Sequence, residues 1–351
     1  MTYSQNEILC TATKKRGSVL YSTDQNFKLS LDIVRSKLIP LDQSSIDAIL
    51  TYDNSQQPTI VLPDGRTFFW YLAIGSMNNP ISLYLRNLTP ILSYPARCLN
   101  HRVVFRGPGG MADLEPCHEA EFDGVVHLLS EEQMDRLDKM EMSYQRIIVP
   151  IIDYQNQTHA VYAYQMTLTN VPDNLPSERY LDIIVKGCEH YGVRSEYINR
   201  LRQEQPVVPR KEPHMYQSIT DVPSDVFYTL DELAKHNGAD PKYPLRICIN
   251  GKILEHIGLP PSDDPDYETQ KRFHAIIQSR FVGREADFEI AKGLYEPLHK
   301  LPLSEEDLSD EHRAMLEDNC LSMLSRSGQS NIYWKPVGRL HRSNNNTNSS
   351  S

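Results

Sequence analysis

Two stretches of the sequence combine residue types that could bind an anion and move a proton. Gly75 and Ser76 end an apolar run and form a turn, where outward-facing backbone N–H groups can bind a carboxylate or phosphate because glycine leaves the approach open. Glu141 follows Met134 and Leu137 at helical spacing, so its carboxylate can be partly buried and can act as a general base. From local sequence alone, a plain β-turn and an exposed glutamate on a frayed last turn are the simpler interpretations.

Other groups of reactive residue types lack the spacing that known sites need. The glycine-rich run at 106–110 is not followed by Gly-Lys-Ser/Thr, so a hairpin loop explains it better than a phosphate cradle. The potential ligands within 117–121 are too close together in sequence for a usual metal site. The chain has no HExxH, HxxxH or GxSxG pattern. The sequence therefore predicts no metal site and no serine nucleophile.

The composition is typical of a globular protein with an acidic balance. The 351 residues are 40% hydrophobic and 23% charged, with a formal net charge of −10, and this length predicts about two domains. The negative charge argues against a dedicated nucleic-acid binder. Membrane association is not expected, because no apolar run approaches the roughly 18 residues of a membrane span. The N-terminus shows no secretory signal, and six scattered cysteines favour free thiols and a cytoplasmic location.

Short strands and helices must position the reactive residues. Two apolar runs flank Pro63-Asp64-Gly65 and predict a β-hairpin. Ser130 and Gln133 form a capping box that begins a helix. Further strands are predicted at 70–74, 102–105, 122–129, 147–152 and 160–166, and further helices at 81–88, 177–189, 266–281 and 309–326. Strands interrupted by helices favour an α+β fold or a mixed barrel over a regular βαβ array.

Composition also divides the chain into regions. Prolines among charged residues in 203–213 predict a linker between a domain at 66–205 and a C-terminal region at 214–342. Residues 1–65 are expected to form an N-terminal extension that can pack on the first domain. Residues 343–351 contain only Ser, Asn and Thr and predict a disordered tail.

Six sequence features, taken in order, resemble the γ-glutamylcyclotransferase family over residues 68–202. The family's Tyr-Gly-Ser-Asn loop corresponds to Tyr71-Leu72-Ala73-Ile74-Gly75-Ser76-Met77-Asn78. The other five features are the hairpin Gly109-Gly110-Met111-Ala112, the strand Gly124-Val125-Val126, the helix end Leu137-Asp138-Lys139-Met140-Glu141, the strand Tyr144-Gln145-Arg146 and the helix start Tyr180-Leu181-Asp182. Each feature is weak alone, but six in the family's order are specific.

The resemblance implies an α+β fold: a γ-glutamylcyclotransferase-like mixed β-barrel with flanking helices and one cavity, joined here to an additional C-terminal α/β region. It implies that the α-amine of a γ-glutamyl group attacks its own γ-carbonyl, giving 5-oxoproline and a free amine. By resemblance, Glu141 is the general acid/base and Tyr180 orients the glutamyl group. The same resemblance assigns substrate binding to Tyr71, Leu72, Ala73, Ile74, Gly75 and Ser76. It implies a small-molecule γ-glutamyl substrate and no cofactor, and leaves the oligomeric state open.

The loop departs from the family pattern at two positions. Ile74 stands where the family has tyrosine and Met77 where it has asparagine, although Asn78 or Asn79 can replace the second side chain. These departures leave two alternatives open, a non-catalytic binding module and a related γ-glutamyl transfer or amide-cleaving activity. The retained Glu141 favours the cyclotransferase, because the chemistry cannot proceed without a base.

The C-terminal region carries a second, weaker resemblance. Residues 228–237 and 249–252 resemble the opening of a b-type cytochrome domain. The His-Pro-Gly-Gly motif that carries an axial haem ligand in that family does not occur in this chain. A haem-free remnant or a chance similarity is therefore expected, and no cofactor is assigned.

Overall fold

The computed structural model describes most of the chain between residues 41 and 341. The described residues are 41–107, 109–141, 143–167, 171–209, 221–259, 261–264, 267, 271, 274–275, 277–278, 281–287, 290, 308–325 and 334–341. The chain divides between residues 210 and 211 into two compact units. The helix predicted over 266–281 falls partly outside the described residues, and the tail at 343–351 falls wholly outside them.

The first unit is a closed, mostly antiparallel sheet with flanking helices. Its strands are β1 (Thr59–Val61), β2 (Thr67–Ala73), β3 (Leu92–Arg106), β4 (Met111–Ser130), β5 (Tyr144–Asp153) and β6 (Thr158–Met166). The sheet order is β1-β2-β4-β3-β5-β6, and β2 also pairs with β6, in parallel, through Tyr71 and Tyr162. This second pairing closes the sheet, so the predicted mixed barrel of an α+β fold is confirmed.

Strand β2 carries buried apolar residues on both of its faces. Phe68, Trp70 and Leu72 are fully buried in the main core, while Tyr71 and Ala73 point to a second apolar cluster. The predicted hairpin at Pro63-Asp64-Gly65 is confirmed, since β1 pairs antiparallel with β2. The part of the N-terminal extension that the structure describes therefore contributes a strand to the sheet.

Strands β3 and β4 extend well beyond their predicted ranges of 102–105 and 122–129. They form one long antiparallel hairpin, with an irregularity in register between Leu99 and His101. Charged residues interrupt the apolar pattern along the hairpin, but they pair across it. Arg102, for example, forms an ion pair of 2.5 Å with Glu115. Cross-strand pairing thus extends strands whose sequence has little apolar periodicity.

Among the described residues, five helices accompany the barrel: α1 (Gln43–Thr51), α2 (Pro80–Leu85), α3 (Glu131–Met140), α4 (Glu178–His190) and α5 (Ser195–Gln203). The Ser130 hydroxyl accepts a hydrogen bond from the N–H of Gln133 and caps α3, as predicted. The other half of the predicted capping box is not formed, because the Gln133 amide donates to the carbonyl of Thr89 instead. Met134 and Leu137 of α3 are fully buried. Helix α4 is capped by Ser177 and turns a mostly apolar face to the core. The predicted helix starts are therefore confirmed.

The second unit contains a four-stranded sheet of order β7-β10-β9-β8. Its elements are β7 (Phe227–Tyr228), α6 (Leu230–Ala234), β8 (Arg246–Ile249), β9 (Lys252–His256), α7 (Asp310–Ser325) and β10 (Trp334–Leu340). Ile247, Leu254, Leu316 and Trp334 lie in its core. Within the described part of the chain, no helix combines the length and hydropathy needed to cross a membrane.

Candidate active site

The turn that follows β2 is the first component of the site. Tyr71, Leu72 and Ala73 are strand residues whose backbone pairs with β4. Leu72 and Ile74 pack their side chains into the main core. The chain leaves the ladder only after Ala73, and Gly75 and Ser76 are partly exposed. The turn, rather than the whole run from Tyr71, is therefore the part whose backbone can face a ligand.

A buried histidine, His127, forms a hydrogen bond with the backbone of this turn. The Nε2 atom of His127 lies 3.0 Å from the carbonyl oxygen of Met77, which can only accept, so Nε2 carries the proton. Its Nδ1 atom then accepts from the Ser93 hydroxyl at 2.7 Å. Burial lowers the pKa of His127 to about 4, so the ring is neutral at pH 7. Sequence reasoning missed His127, because nothing in its local sequence separates it from an ordinary core residue.

Helix α4 also packs against the turn and accepts hydrogen bonds from its side chains. Asn79 donates from Nδ2 to the carbonyl of Ile183 and accepts from the N–H of Ile81. The amide of Asn78 contacts the Cys188 sulfur at 3.7 Å. Both asparagines are thus engaged with buried groups beside the turn. The amide nitrogens of both residues bond to α4, whereas the Oδ1 atom of Asn78 has no hydrogen-bond partner among the described residues. The expectation that one of them replaces the missing substrate-binding side chain therefore stays a prediction.

Tyr180 brings the start of α4 to the turn. Its hydroxyl oxygen accepts a hydrogen bond from the N–H of Ala112, at 3.3 Å. A Cβ atom built on Gly75 would lie 2.6 Å from this oxygen. The glycine therefore permits the close approach of the tyrosine.

Glu141, at the C-terminal end of α3, lies near Tyr71 and Tyr180. It is the C-terminal cap of the helix, its N–H donates to the Leu137 carbonyl, and its side chain is half-buried. Burial first, and then the charge of Glu141, raises the pKa of Tyr71. The same charge contributes to raised pKa values at three further buried tyrosines, where burial is the larger cause: Tyr144, Tyr164 and Tyr180. One carboxylate therefore lies within electrostatic range of four tyrosines.

The hydroxyls of two of these tyrosines donate hydrogen bonds to other groups of the protein. Tyr144 donates to the carbonyl oxygen of Ala112 at 3.0 Å. Tyr164 donates to Asp138, which also forms an ion pair with Arg146. The backbone of Ala112 therefore links the two tyrosines, because its N–H and carbonyl, rather than its methyl group, contact Tyr180 and Tyr144. The glycine-rich hairpin before it was its only sequence signal.

The structure thus brings together Glu141, Tyr71, Tyr180 and the turn at Gly75 and Ser76. Leu72 and Ile74 can reach a ligand there only through their backbone atoms. The run at 117–121 lies on β4, and His118 and Glu119 within it are largely exposed. The described residues contain no group of three or more potential metal ligands.

Comparisons with known proteins place this site in a family context. A sequence model of the AIG2-like family matches residues 121–201, which contain Glu141 and Tyr180. A solved γ-glutamyl cyclotransferase is 22% identical, with 44% of this chain and 94% of that chain covered and a TM-score of 0.37. An uncharacterized protein from Homo sapiens gives the same four values. An AIG2-like protein from Mus musculus is 16% identical, with coverages of 30% and 84% and a TM-score of 0.26.

No curated protein matches the chain. The family match lies wholly inside residues 68–202, over which the sequence resembles γ-glutamylcyclotransferases, and it includes both Glu141 and Tyr180. The resemblance is therefore confirmed over this part of the chain, where residues 121–201 are similar to the AIG2-like family.

Proposed function

We propose that the barrel unit is a cyclotransferase that converts a γ-glutamyl amino acid or amine into 5-oxoproline and the free amine. The observation that carries the proposal is the convergence of Glu141, Tyr180 and the turn at Gly75 in the barrel: the Tyr180 hydroxyl touches the turn at Gly75, and the Glu141 charge acts on both Tyr71 and Tyr180. Three separate elements, α3, α4 and the turn after β2, supply these groups. The AIG2-like match over the segment containing Glu141 and Tyr180 supports the same reaction.

In this proposal the turn and the tyrosines bind the γ-glutamyl group. Backbone N–H groups at Gly75 and Ser76 receive the α-carboxylate, because a turn leaves such donors outside the strand ladder. The buried ring of Tyr71 and the ring of Tyr180 provide walls that fix the glutamyl chain. The contacts of His127 and Asn79 hold the turn rigid before substrate binds, which reduces the cost of reorganisation.

Glu141 transfers the protons. It removes a proton from the α-ammonium, and the freed amine attacks the γ-carbonyl carbon to form the new C–N bond and a tetrahedral oxyanion. Collapse of this intermediate breaks the original amide bond, and Glu141 delivers the proton to the departing nitrogen. A second proton follows the same route, so the products are the neutral lactam and a protonated amine. The nucleophile is tethered to its target, so proximity supplies much of the rate without a cofactor.

The cellular setting is part of the proposal. The only partner that the reaction requires is the small-molecule substrate. Within the described part of the chain, no disulfide bond joins Cys98, Cys117, Cys188, Cys248 or Cys320. Cysteines that form no disulfide favour a reducing compartment, and we place the activity in the cytoplasm.

The test is release of 5-oxoproline from γ-glutamyl amino acids, γ-glutamyl amines and glutathione by the full chain. Glu141→Gln keeps the shape of the side chain and removes its basicity, so turnover should be lost while the fold is retained. Glu131→Gln on the exposed first turn of the same helix is the matched control and should keep turnover. Equal activity of Glu141→Gln and native chain would remove Glu141 from the mechanism.

A second candidate function is a non-catalytic binding module. It is favoured by a cleft of about 500 Å³ against β3, β4 and α5, whose lining includes Phe105, Phe122 and Tyr197. This volume is in the range of small-molecule sites, and Glu141 is not among the residues that line it. A folded chain that binds a γ-glutamyl compound without releasing 5-oxoproline, and whose binding is lost on Tyr197→Ala, would favour this candidate.

A further inference from the structure

The cleft of about 500 Å³ on the barrel unit has one wall made by a single face of helix α5. Tyr197, Arg200, Leu201 and Glu204 line this wall, at the helical spacing that places side chains on one face. Glu204 is the C-terminal cap of the helix. Glu141 does not line the cleft, so the cleft is separate from the proposed active site.

A bulge of β4 forms part of the opposite wall. The pairing of β3 with β4 skips residues 117–120, which lie opposite Asn100. The side chain of Asn100 accepts a hydrogen bond from the N–H of Glu119 at 3.2 Å, and Glu119 has φ 62°, which residues other than glycine rarely adopt. The bulge presents Glu119 and Ala120 to the cleft beside the buried ring of Phe122. The cleft therefore has apolar walls with charged groups at its rim.

Tyr197 brings a hydroxyl group that the protein leaves available. The residue is only 6% exposed, and burial raises the pKa of its hydroxyl, which therefore keeps its proton at neutral pH. Within the described part of the chain this hydroxyl makes no hydrogen bond, yet its oxygen is not enclosed by protein. A buried tyrosine hydroxyl usually has a partner. The open direction is the cleft that Tyr197 lines, so a bound ligand can supply the partner.

The charged side chains on α5 leave one charge of each sign for a ligand. Arg200 donates to the carbonyl of Glu121 at 3.3 Å and lies over the Tyr197 ring at 5.1 Å, but it forms no ion pair with a carboxylate of the described residues. Glu204 likewise forms no ion pair within the described part of the chain. On a helix, residues four apart have Cβ atoms about 5–6 Å from each other. A compact molecule that carries both charges can therefore contact both side chains.

From this combination we propose that the cleft binds a free α-amino acid with an aromatic or large aliphatic side chain. Arg200 binds the α-carboxylate, Glu204 binds the α-ammonium, and the Tyr197 hydroxyl donates to the carboxylate. The ligand side chain packs against Phe122 and Leu201, which are buried and apolar. A ligand with one charge would leave the opposite charge of the cleft without a partner. The inference does not depend on the proposed reaction.

Calorimetry of the full chain with L-phenylalanine tests the choice of ligand. We expect binding at one site per chain. Phenethylamine lacks the carboxylate, 3-phenylpropanoate lacks the ammonium group and L-alanine lacks the large side chain. Each should bind at least about fivefold more weakly, because each loses one set of contacts. Absence of binding by L-phenylalanine, or equal binding by any of the three analogues, overturns the proposal.

Substitutions on α5 test the position of the site. Arg200→Gln, Glu204→Gln and Tyr197→Phe should each weaken binding of L-phenylalanine by about fivefold. The first two side chains are exposed and the third change keeps the ring, so the fold should be retained. Arg202→Gln and Glu196→Gln are matched controls, since both residues lie on α5 outside the cleft, and they should bind as the native chain does. Unchanged binding in the three cleft variants, or equal losses in the controls, contradicts this position.

Glu141→Gln separates this inference from the proposed function. It should bind L-phenylalanine as tightly as the native chain, because Glu141 does not line the cleft. Loss of binding in Glu141→Gln would place the amino acid at the proposed active site and overturn the cleft as its site. A native chain that binds L-phenylalanine through Arg200 and Glu204 but releases no 5-oxoproline supports this inference and contradicts the cyclotransferase.

Discussion

The hydroxyl oxygen of Tyr180 lies 2.6 Å from the point at which a Cβ atom on Gly75 would stand. The φ of Gly75, −115°, is outside the left-handed region, and the space that a Cβ atom would need is occupied by this oxygen. The oxygen cannot withdraw without losing the hydrogen bond that it accepts from the N–H of Ala112. One small residue and one tyrosine thus depend on each other.

Gly75→Ala should therefore reduce both activity and stability. The added methyl group displaces the Tyr180 hydroxyl, and overpacking of this kind costs about 1–3 kcal/mol. Chemical denaturation and 5-oxoproline release measure the two effects. Gly109→Ala is the control, since a Cβ there meets its nearest neighbour at an ordinary 3.5 Å.

A double variant tests directly whether the clash with the Tyr180 hydroxyl causes the loss of stability in Gly75→Ala. Without the hydroxyl, the ring carbon nearest to the new methyl group is 3.8 Å away. Tyr180→Phe should then restore much of the stability lost in Gly75→Ala while activity stays low. If the two losses of stability simply add, the two residues do not interact and the steric explanation is wrong.

For Gly187 in α4, packing predicts that alanine lowers stability, whereas helix propensity predicts that it raises stability. An alanine in a helix is usually favoured over glycine by about 1 kcal/mol. Here a Cβ would lie 2.3 Å from the Asn78 carbonyl oxygen, so Gly187→Ala should instead destabilise the unit and move the turn away from α4. The free energy of unfolding and KM report the two effects. A more stable variant would contradict the close packing of α4 against the turn.

Introducing the family's side chains at Ile74 and Met77 should improve neither stability nor 5-oxoproline release. Ile74 and Met77 are 8% and 5% exposed and lie in two different apolar clusters. A tyrosine at Ile74 overfills its cluster, and an asparagine at Met77 buries an amide among apolar groups. We expect Ile74→Tyr and Met77→Asn each to lower the unfolding midpoint and 5-oxoproline release. A gain in activity at unchanged stability would show that these side chains can reach substrate.

His127 makes stability depend on pH. Burial holds its pKa at about 4 in the folded chain, against 6.5 in the unfolded chain. The unfolded state therefore binds the proton first, and stability is complete above pH 6.5 and is lost as pH falls towards 4. The difference corresponds to about 3 kcal/mol. Unfolding free energies of native chain and His127→Gln at pH 7 and pH 4.5 should show a smaller pH effect in the variant, whereas equal pH effects would exclude His127 as the cause.

The sequence predicted the parts of the site that depend on local order. The apolar run of β2, the Gly75 turn and the Ser130 cap follow from nearest neighbours along the chain, because turn and cap hydrogen bonds close within a few residues. Glu141 was predicted to end an inward helix face, and Met134 and Leu137 are indeed buried. Resemblance supplied the chemistry that local order could not.

Tertiary packing brings together groups that are distant in sequence. Ala112 bonds to Tyr180, and His127 bonds to the carbonyl of Met77. The glycine-rich hairpin pointed to the region of Ala112 but not to its backbone N–H, and His127 had no signal because a core histidine looks like any other. Asn78 and Asn79 have side chains suited to a ligand, yet the packing of α4 directs their amides into the protein. Pairing of distant strands and docking of α4 are long-range events, so the sequence determined the components of this site while the closed barrel determined their positions.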